Sequence, residues 1–211
     1  MNITLPKLYA ITDRRLSGIS HLEQVKRLVD GGAKLIQLRE KDLLPGEWID
    51  DARRSLQYCR IHGVTLIVND RVDLALVIDA DGVHLGQTDI PVEAARRLLD
   101  ADSIIGLSTH TLAQASLAIT QRVDYIAFGP VFPTSTKVDT DPVVGLELLS
   151  DICRIAGSIP VVAIGGINRT NVDSVISAGA ASVAVISDLI SDPSNIAAHT
   201  REFIAKLSNN V

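Results

Sequence analysis

The sequence predicts an α/β protein of one domain over residues 1–211, a (β/α)8 or TIM barrel. Eight short runs rich in Val, Ile and Leu recur along the chain. They are continuous rather than alternating, as strands covered on both faces require. Segments of helical periodicity separate them. Each run ends in polar or glycine chemistry, and a barrel of this kind gathers the C-terminal ends of its strands at one mouth. Hydrophobic residues make up 46% of the chain and aromatics only 3%. The core is therefore built from Val, Ile, Leu and Ala, the residues that fill barrel interiors.

The first strand, about 7–12, runs into Ile11-Thr12-Asp13. The helix after it, about 21–31, opens at Ser20 with Glu23 three residues on, a capping-box pattern, and closes at Gly31-Gly32. The second strand, about 34–38, ends in Gln37-Leu38-Arg39-Glu40-Lys41, followed by a helix over about 46–62 that Gly63 stops. The third, about 64–69, ends in Asn69-Asp70-Arg71 before a helix over about 71–79. The fourth, about 82–85, leads through His84 to Asp89, and Pro91 opens a helix over about 91–101. The fifth, about 103–107, passes into Ser108-Thr109-His110-Thr111 and a helix over about 111–121. The sixth, about 124–128, enters the longest irregular stretch, 129–142, before a helix over about 143–156 closed by Gly157. The seventh, about 160–164, ends in Gly165-Gly166, with a helix over about 168–178 and Gly179 after it. The eighth, about 182–186, ends in Ile186-Ser187 and precedes a helix over about 194–208.

Net charge is −5 and no Lys/Arg run occurs, which argues against a nucleic-acid partner. No stretch approaches the roughly 20 apolar residues that span a bilayer, and no signal segment opens the chain. A soluble, cytoplasmic protein without a membrane partner is expected. Cys59 and Cys153 lie on predicted helices outside any CxxC pattern, as reduced cytosolic thiols do. Whether the chain forms a homo-oligomer is left open.

The chemistry-bearing residues sit at the strand ends. In extended chain alternate side chains share a face, so Gln37, Arg39 and Lys41 point one way and Leu38 and Glu40 the other. Two cations and an amide on one strand end form a diphosphate clamp; a solvated loop with Arg39 paired to a neighbouring acid is the plainer alternative. Asp70 and Asp89 end neighbouring strands, and a few hard oxygen ligands suit Mg2+ that keeps waters and shares a phosphate. Either residue alone reads first as a helix cap; the two together beside the cationic cluster favour the metal. Asp13, Asp73 and Asp81 read as structural. In the loop after strand six, Thr134 and Thr136 offer hydroxyls to one phosphate and Lys137 a cation to another. Gly166, Ile186 and Ser187 lie after strands seven and eight, where barrels often bind phosphate. His84 reads as a satisfied core histidine and His110 as a capping or surface residue. No triad or zinc cluster is evident.

Taken as a set, these segments resemble the thiamine-phosphate synthase family (thiamine-phosphate pyrophosphorylases), to which thiazole tautomerase is related. The resemblance rests on Leu8 to Asp13, Gln37 to Lys41, Asn69 to Asp73, Gly82 to Gln87 through Asp89, Gly106 to Ser108, Phe128 to Lys137, Ala163 to Ile167, and Val185 to Ser187. It implies a transferase that joins 4-amino-2-methyl-5-(diphosphomethyl)pyrimidine to 4-methyl-5-(2-phosphoethyl)thiazole. It further implies that Gln37, Arg39, Lys41 and Asn69 hold the diphosphate and pyrimidine. Asp70 and Asp89 then hold Mg2+, while Ser108 and Lys137 reach the pyrimidine diphosphate region. Thr134 and Thr136, with backbone at Gly166, Ile186 and Ser187, take the thiazole phosphate. Arg39, Lys41, Ser108 and Lys137 are the expected catalytic set.

One position departs from the family: a second lysine often follows Lys137, and here Val138 stands there. Three rivals compete with the synthase. A thiazole tautomerase calls for a histidine after strand six, where this chain has Pro130, and leaves Asp70 and Asp89 unexplained. A sugar-phosphate or indole-type barrel does not account for the Gln-Arg-Lys and Thr-Thr-Lys segments. A non-catalytic regulator is encouraged only by Val138.

Overall fold

The computed structural model describes residues 5–134, 136 and 141–208. Eight parallel strands pair in chain order and close on themselves. They are β1 (Leu8–Asp13), β2 (Leu35–Arg39), β3 (Thr65–Asn69), β4 (Gly82–Leu85), β5 (Ile104–Thr109), β6 (Tyr125–Phe128), β7 (Val161–Ile164) and β8 (Ser182–Val185). Leu8 pairs with Val183 to seal β1 against β8. The α-helices are α1 (Arg14–Ser17), α2 (His21–Asp30), α3 (Pro45–Ile61), α4 (Val72–Ile78), α5 (Val92–Leu98), α6 (Leu112–Ala118), α7 (Gly145–Ala156), α8 (Val172–Ser177), α9 (Ser187–Ile190) and α10 (Ile196–Ser208).

Strand periodicity divides the core into two layers. On β1, Leu8 and Ala10 pack outward under the helices, while Tyr9 and Ile11 point into the barrel. On β2, Ile36 and Leu38 pack outward and Leu35 points in. Leu5, Ile67, Tyr125, Ala127, Val162 and Ala184 complete the inner cluster. Small residues from β6 and β8 offset the two tyrosines, so the interior is filled rather than open.

Helix ends follow local chemistry. Ser20 accepts a hydrogen bond from the Glu23 N–H at 3.2 Å, but the Glu23 carboxylate turns to Lys26 at 2.9 Å. Only half of the expected capping box forms. At α3 the carboxylate of Glu47 accepts the Leu44 N–H at 2.7 Å. Several boundaries shift from the sequence reading. β5 runs to Thr109, so Ser108 and Thr109 lie within the strand rather than beyond it. α5 stops at Leu98 and α8 starts only at Val172. Asn168 and Asn171 cause the second shift: the Asn171 side chain accepts the Asn168 N–H at 2.9 Å, and the Asn168 side chain accepts the Thr170 N–H at 2.8 Å. These side-chain bonds hold a turn in place of a helical one. The four-residue helices α1 and α9 are too short for any periodic signal. Among the described residues, no helix is long and apolar enough to cross a membrane.

Candidate active site

A cavity of about 620 Å³ opens at the C-terminal ends of the strands. Its lining includes Gln37, Arg39, Lys41, Asn69, Asp70, Asp89, Ser108, Thr134, Thr136, Gly166, Ile186 and Ser187. An adjoining recess of about 630 Å³ shares Thr134, Thr136, Gly166 and Ser187. Lys137 and Val138 lie outside the described residues.

The end of β2 alternates as the sequence requires. Gln37 is buried inside the barrel and donates from Nε2 to the Tyr9 hydroxyl at 2.8 Å. Arg39 forms an ion pair with Asp13. Asp13 also caps α1, accepting the Leu16 N–H at 3.0 Å. Asp13 is thus structural in a particular sense, because it anchors a cation at the mouth. Glu40 faces away, against His21 at 3.2 Å, and accepts the N–H groups of Lys41 and Asp42. Lys41 returns to the cavity and pairs with Asp70.

Asp70 sits in the left-handed region, with φ of 61°. Its N–H donates to the His84 carbonyl at 2.8 Å, closing the Asn69–His84 pair at the end of β3 and β4. The bend that follows aims the carboxylate at the mouth. The cap reading for Asp70 does not hold, because Arg71 occupies the position before α4 and no side chain caps that helix. Asp89 accepts the Gly86 N–H at 2.7 Å. Burial pushes its carboxyl pKa up, and neighbouring Asp70 pushes it further, against the pull of Gly86 N–H and Lys41. Two close carboxylates that resist joint ionisation suit a cation between them. Among the described residues no third His, Cys, Asp or Glu joins them. That small donor set fits Mg2+, which holds waters and an anion's oxygens beside one or two carboxylates.

The opposite rim is built from backbone and hydroxyls. Gly165 and Gly166 have φ of 98° and 64°. A Cβ on Gly166 would lie 2.5 Å from the Pro133 carbonyl oxygen, and one on Gly165 would lie 2.4 Å from Pro130 Cβ. The loop after β6 can therefore lie flat on the β7 end, with Val131 N–H donating to Ile164 and Phe132 N–H to Gly165. Asn171 fixes the Gly166 peptide through its carbonyl at 2.9 Å. Thr134 and Thr136 stand over this platform, their hydroxyls 3.4 Å apart, and α9 begins at Ser187 beside it.

Tyr9, His84 and His110 are among the cavity residues that the sequence did not place in the site. His84 is a satisfied barrel histidine, as expected, but it also lines the cavity. Its Nε2 lies 2.8 Å from the Ser108 hydroxyl and its Nδ1 2.9 Å from the Tyr125 hydroxyl. Burial lowers its pKa to about 4. Tyr9 belongs to the same network and lines the floor. Inward register on β1 and β4 was the available signal for both. His110 is neither cap nor surface residue: Thr111 caps α6, and His110 Nδ1 donates to the Gly129 carbonyl at 2.7 Å. Asp73 and Asp81 are occupied elsewhere, with Arg71 and with the Leu66 N–H.

A closed barrel whose mouth gathers paired carboxylates and cations on one side and glycines on the other has the layout of a (β/α)8 enzyme. The family model described as thiamine monophosphate synthase matches residues 8–189. A thiamine-phosphate synthase of Methanospirillum hungatei is 48% identical over 197 residues, covering 93% of this chain and 95% of that one. One from Methanocella arvoryzae is 48% identical over 185 residues, 87% of each chain. The solved thiamine phosphate pyrophosphorylase of Pyrococcus furiosus superposes with a TM-score of 0.87 at 38% identity, covering 97% of this chain and 96% of that one. The chain belongs to the thiamine monophosphate synthase family, whose activity is that of a transferase in thiamine biosynthesis.

Proposed function

We propose that this barrel couples 4-amino-2-methyl-5-(diphosphomethyl)pyrimidine with 4-methyl-5-(2-phosphoethyl)thiazole, releasing diphosphate. The observation that carries the reading is the division of one cavity into a carboxylate-and-cation side and a glycine-and-hydroxyl side. Each side matches one phosphorylated substrate. Gln37, Arg39, Lys41, Asn69, Ser108 and Lys137 are assigned to the pyrimidine diphosphate. Thr134, Thr136 and the backbone of Gly166, Ile186 and Ser187 are assigned to the thiazole phosphate. Asp70 and Asp89 are assigned to Mg2+.

The reaction is a dissociative displacement. The C–O bond between the pyrimidine methylene and the diphosphate breaks, and the electron pair leaves with diphosphate. The amino-pyrimidine ring donates electrons to the resulting carbocation. The thiazole nitrogen lone pair then forms the C–N bond, giving the thiazolium of thiamine phosphate. No proton need move. Mg2+, when bound, supplies charge neutralisation for the leaving group. Arg39 and Lys41 supply the same from fixed positions, with Lys137 as a third cation. Asp13 keeps Arg39 oriented before substrate arrives, so little reorganisation is left for the reacting complex. The rim at Gly166 and Ser187 holds the nucleophile for in-line approach.

The same reading makes this a cytoplasmic enzyme of one domain, acting on two small molecules without a nucleic-acid or membrane partner. The tautomerase alternative is not favoured, since Pro130 stands where it needs histidine and the Asp70–Asp89 pair would have no task. The test is direct. Purified protein with Mg2+ and both substrates should form thiamine phosphate and diphosphate in equal amounts. No product under those conditions would refute the synthase, and conversion of a thiazole carboxylate tautomer without Mg2+ would support the tautomerase.

A further inference from the structure

A continuous chain of side-chain hydrogen bonds crosses the barrel floor. It runs from Gln37 Nε2 to Tyr9 Oη (2.8 Å), to Tyr125 Oη (2.9 Å), to His84 Nδ1 (2.9 Å), and from His84 Nε2 to Ser108 Oγ (2.8 Å). Five residues on β2, β1, β6, β4 and β5 are linked. Gln37 and Ser108, at its two ends, both line the cavity. We infer that Tyr9, Tyr125 and His84 are positioning residues: they form a polarised relay that fixes Gln37 and Ser108 as a matched acceptor–donor pair for a heteroaromatic ring. The inference rests on the pyrimidine reading of this side of the mouth.

Polarity follows from counting protons. Each hydroxyl has one to give, and a neutral imidazole has one N–H. With the Gln37 amide nitrogen donating, the arrangement that leaves no hydroxyl proton unused has Tyr9 donating to Tyr125, and Tyr125 to His84 Nδ1. The imidazole proton then sits on Nε2 and is given to Ser108. The Ser108 proton is left for the cavity, while Gln37 keeps Oε1 as an acceptor. A ligand must therefore offer an acceptor to Ser108 and a donor to Gln37. A 4-aminopyrimidine has both, a ring nitrogen and an exocyclic amine. A 4-oxopyrimidine has the opposite arrangement, and meeting both of its groups with every relay proton still in a bond requires the relay to reverse together.

The packing holds this geometry. The His84 and Tyr125 rings stack with centroids 5.5 Å apart, and Tyr9 meets Tyr125 edge-on at 5.9 Å. Gly106 leaves the space Tyr125 fills, since a Cβ there would lie 2.0 Å from the Tyr125 ring. Burial keeps the imidazole neutral near pH 7 and both phenols protonated. A buried donor facing a donor, or an acceptor facing an acceptor, is penalised in such a site, so the relay has two coherent states rather than many.

The test is the tautomer of His84, read from its ring nitrogen shifts in 15N-labelled protein and assigned by difference with His84→Gln. The wild-type ring should be a single Nε2–H tautomer. Tyr9→Phe removes an oxygen that does not touch His84, yet should mix or reverse that tautomer. It should also weaken 4-amino-5-hydroxymethyl-2-methylpyrimidine about tenfold while narrowing its preference over the 4-oxo analogue. An Nδ1–H tautomer in the wild type would overturn the polarity without any variant being needed. An unchanged tautomer and preference in folded Tyr9→Phe would overturn the coupling. Neither readout needs turnover, so failure to make thiamine phosphate would refute the proposed reaction separately from the relay.

Discussion

Asp70 and Asp89 oppose each other in the folded chain, offset by Lys41 and, at Asp89, by the Gly86 N–H. Losing a charge-assisted contact is worth about 1.5–3 kcal/mol. Asp70→Asn and Asp89→Asn should therefore each cut turnover by about ten- to a hundredfold while the circular dichroism stays native. Stability should move the other way for Asp89. Its raised pKa means the native state holds a proton there that the unfolded chain releases, so ionisation costs stability as pH climbs past the ordinary aspartate value. Without metal, Asp89→Asn should melt above the wild type at neutral pH. That gap should shrink as pH falls toward the ordinary aspartate pKa of about 3.9. Mg2+ titration should show the same group from the other side, with affinity fading on acidification before an ordinary aspartate would protonate. A metal-free Asp89→Asn protein less stable than wild type at neutral pH would contradict this balance.

At the scale of elements, the platform on β7 depends on two glycines. Alanine at 166 would face a positive φ and a contact of 2.5 Å with the Pro133 carbonyl oxygen. Such strain costs about 1–3 kcal/mol, so KM for the thiazole phosphate in Gly166→Ala should rise about five- to a hundredfold. KM for the pyrimidine diphosphate should change little. Steady-state kinetics on both substrates checks this, and an unaffected thiazole KM would remove the platform from the site. What was legible in the sequence follows the same logic. The eight strands were readable as continuous apolar runs, and the shared face of Gln37, Arg39 and Lys41 because alternate side chains of extended chain point the same way. The place of His84 and Tyr9 in the cavity lining was not, because an inward polar residue looks the same in sequence whether it fills a core or floors a cavity. α8 began late because Asn168 and Asn171 bond to local backbone. Asp13 was recognisable as structural, but its partner Arg39 comes from a neighbouring strand that only the β1–β2 pairing reveals.

Across the whole molecule, chain order becomes a division of labour around one ring. β2 to β5 and their loops carry the cations and carboxylates, while β7 and β8 carry the glycine platform and Ser187. The segment after β6 lines both the mouth and the adjoining recess through Thr134 and Thr136. The fold was predictable because eight repeats of strand and helix constrain the topology more tightly than any boundary does. The division of the mouth was less so, since it depends on which strand ends face each other across the barrel. It is tested by the two KM values in Lys41→Ala and Thr136→Val. Lys41→Ala should raise KM for the pyrimidine diphosphate and spare that for the thiazole phosphate, and Thr136→Val should do the reverse. If each variant raised both KM values alike, the two substrates would not occupy separate sides of this barrel.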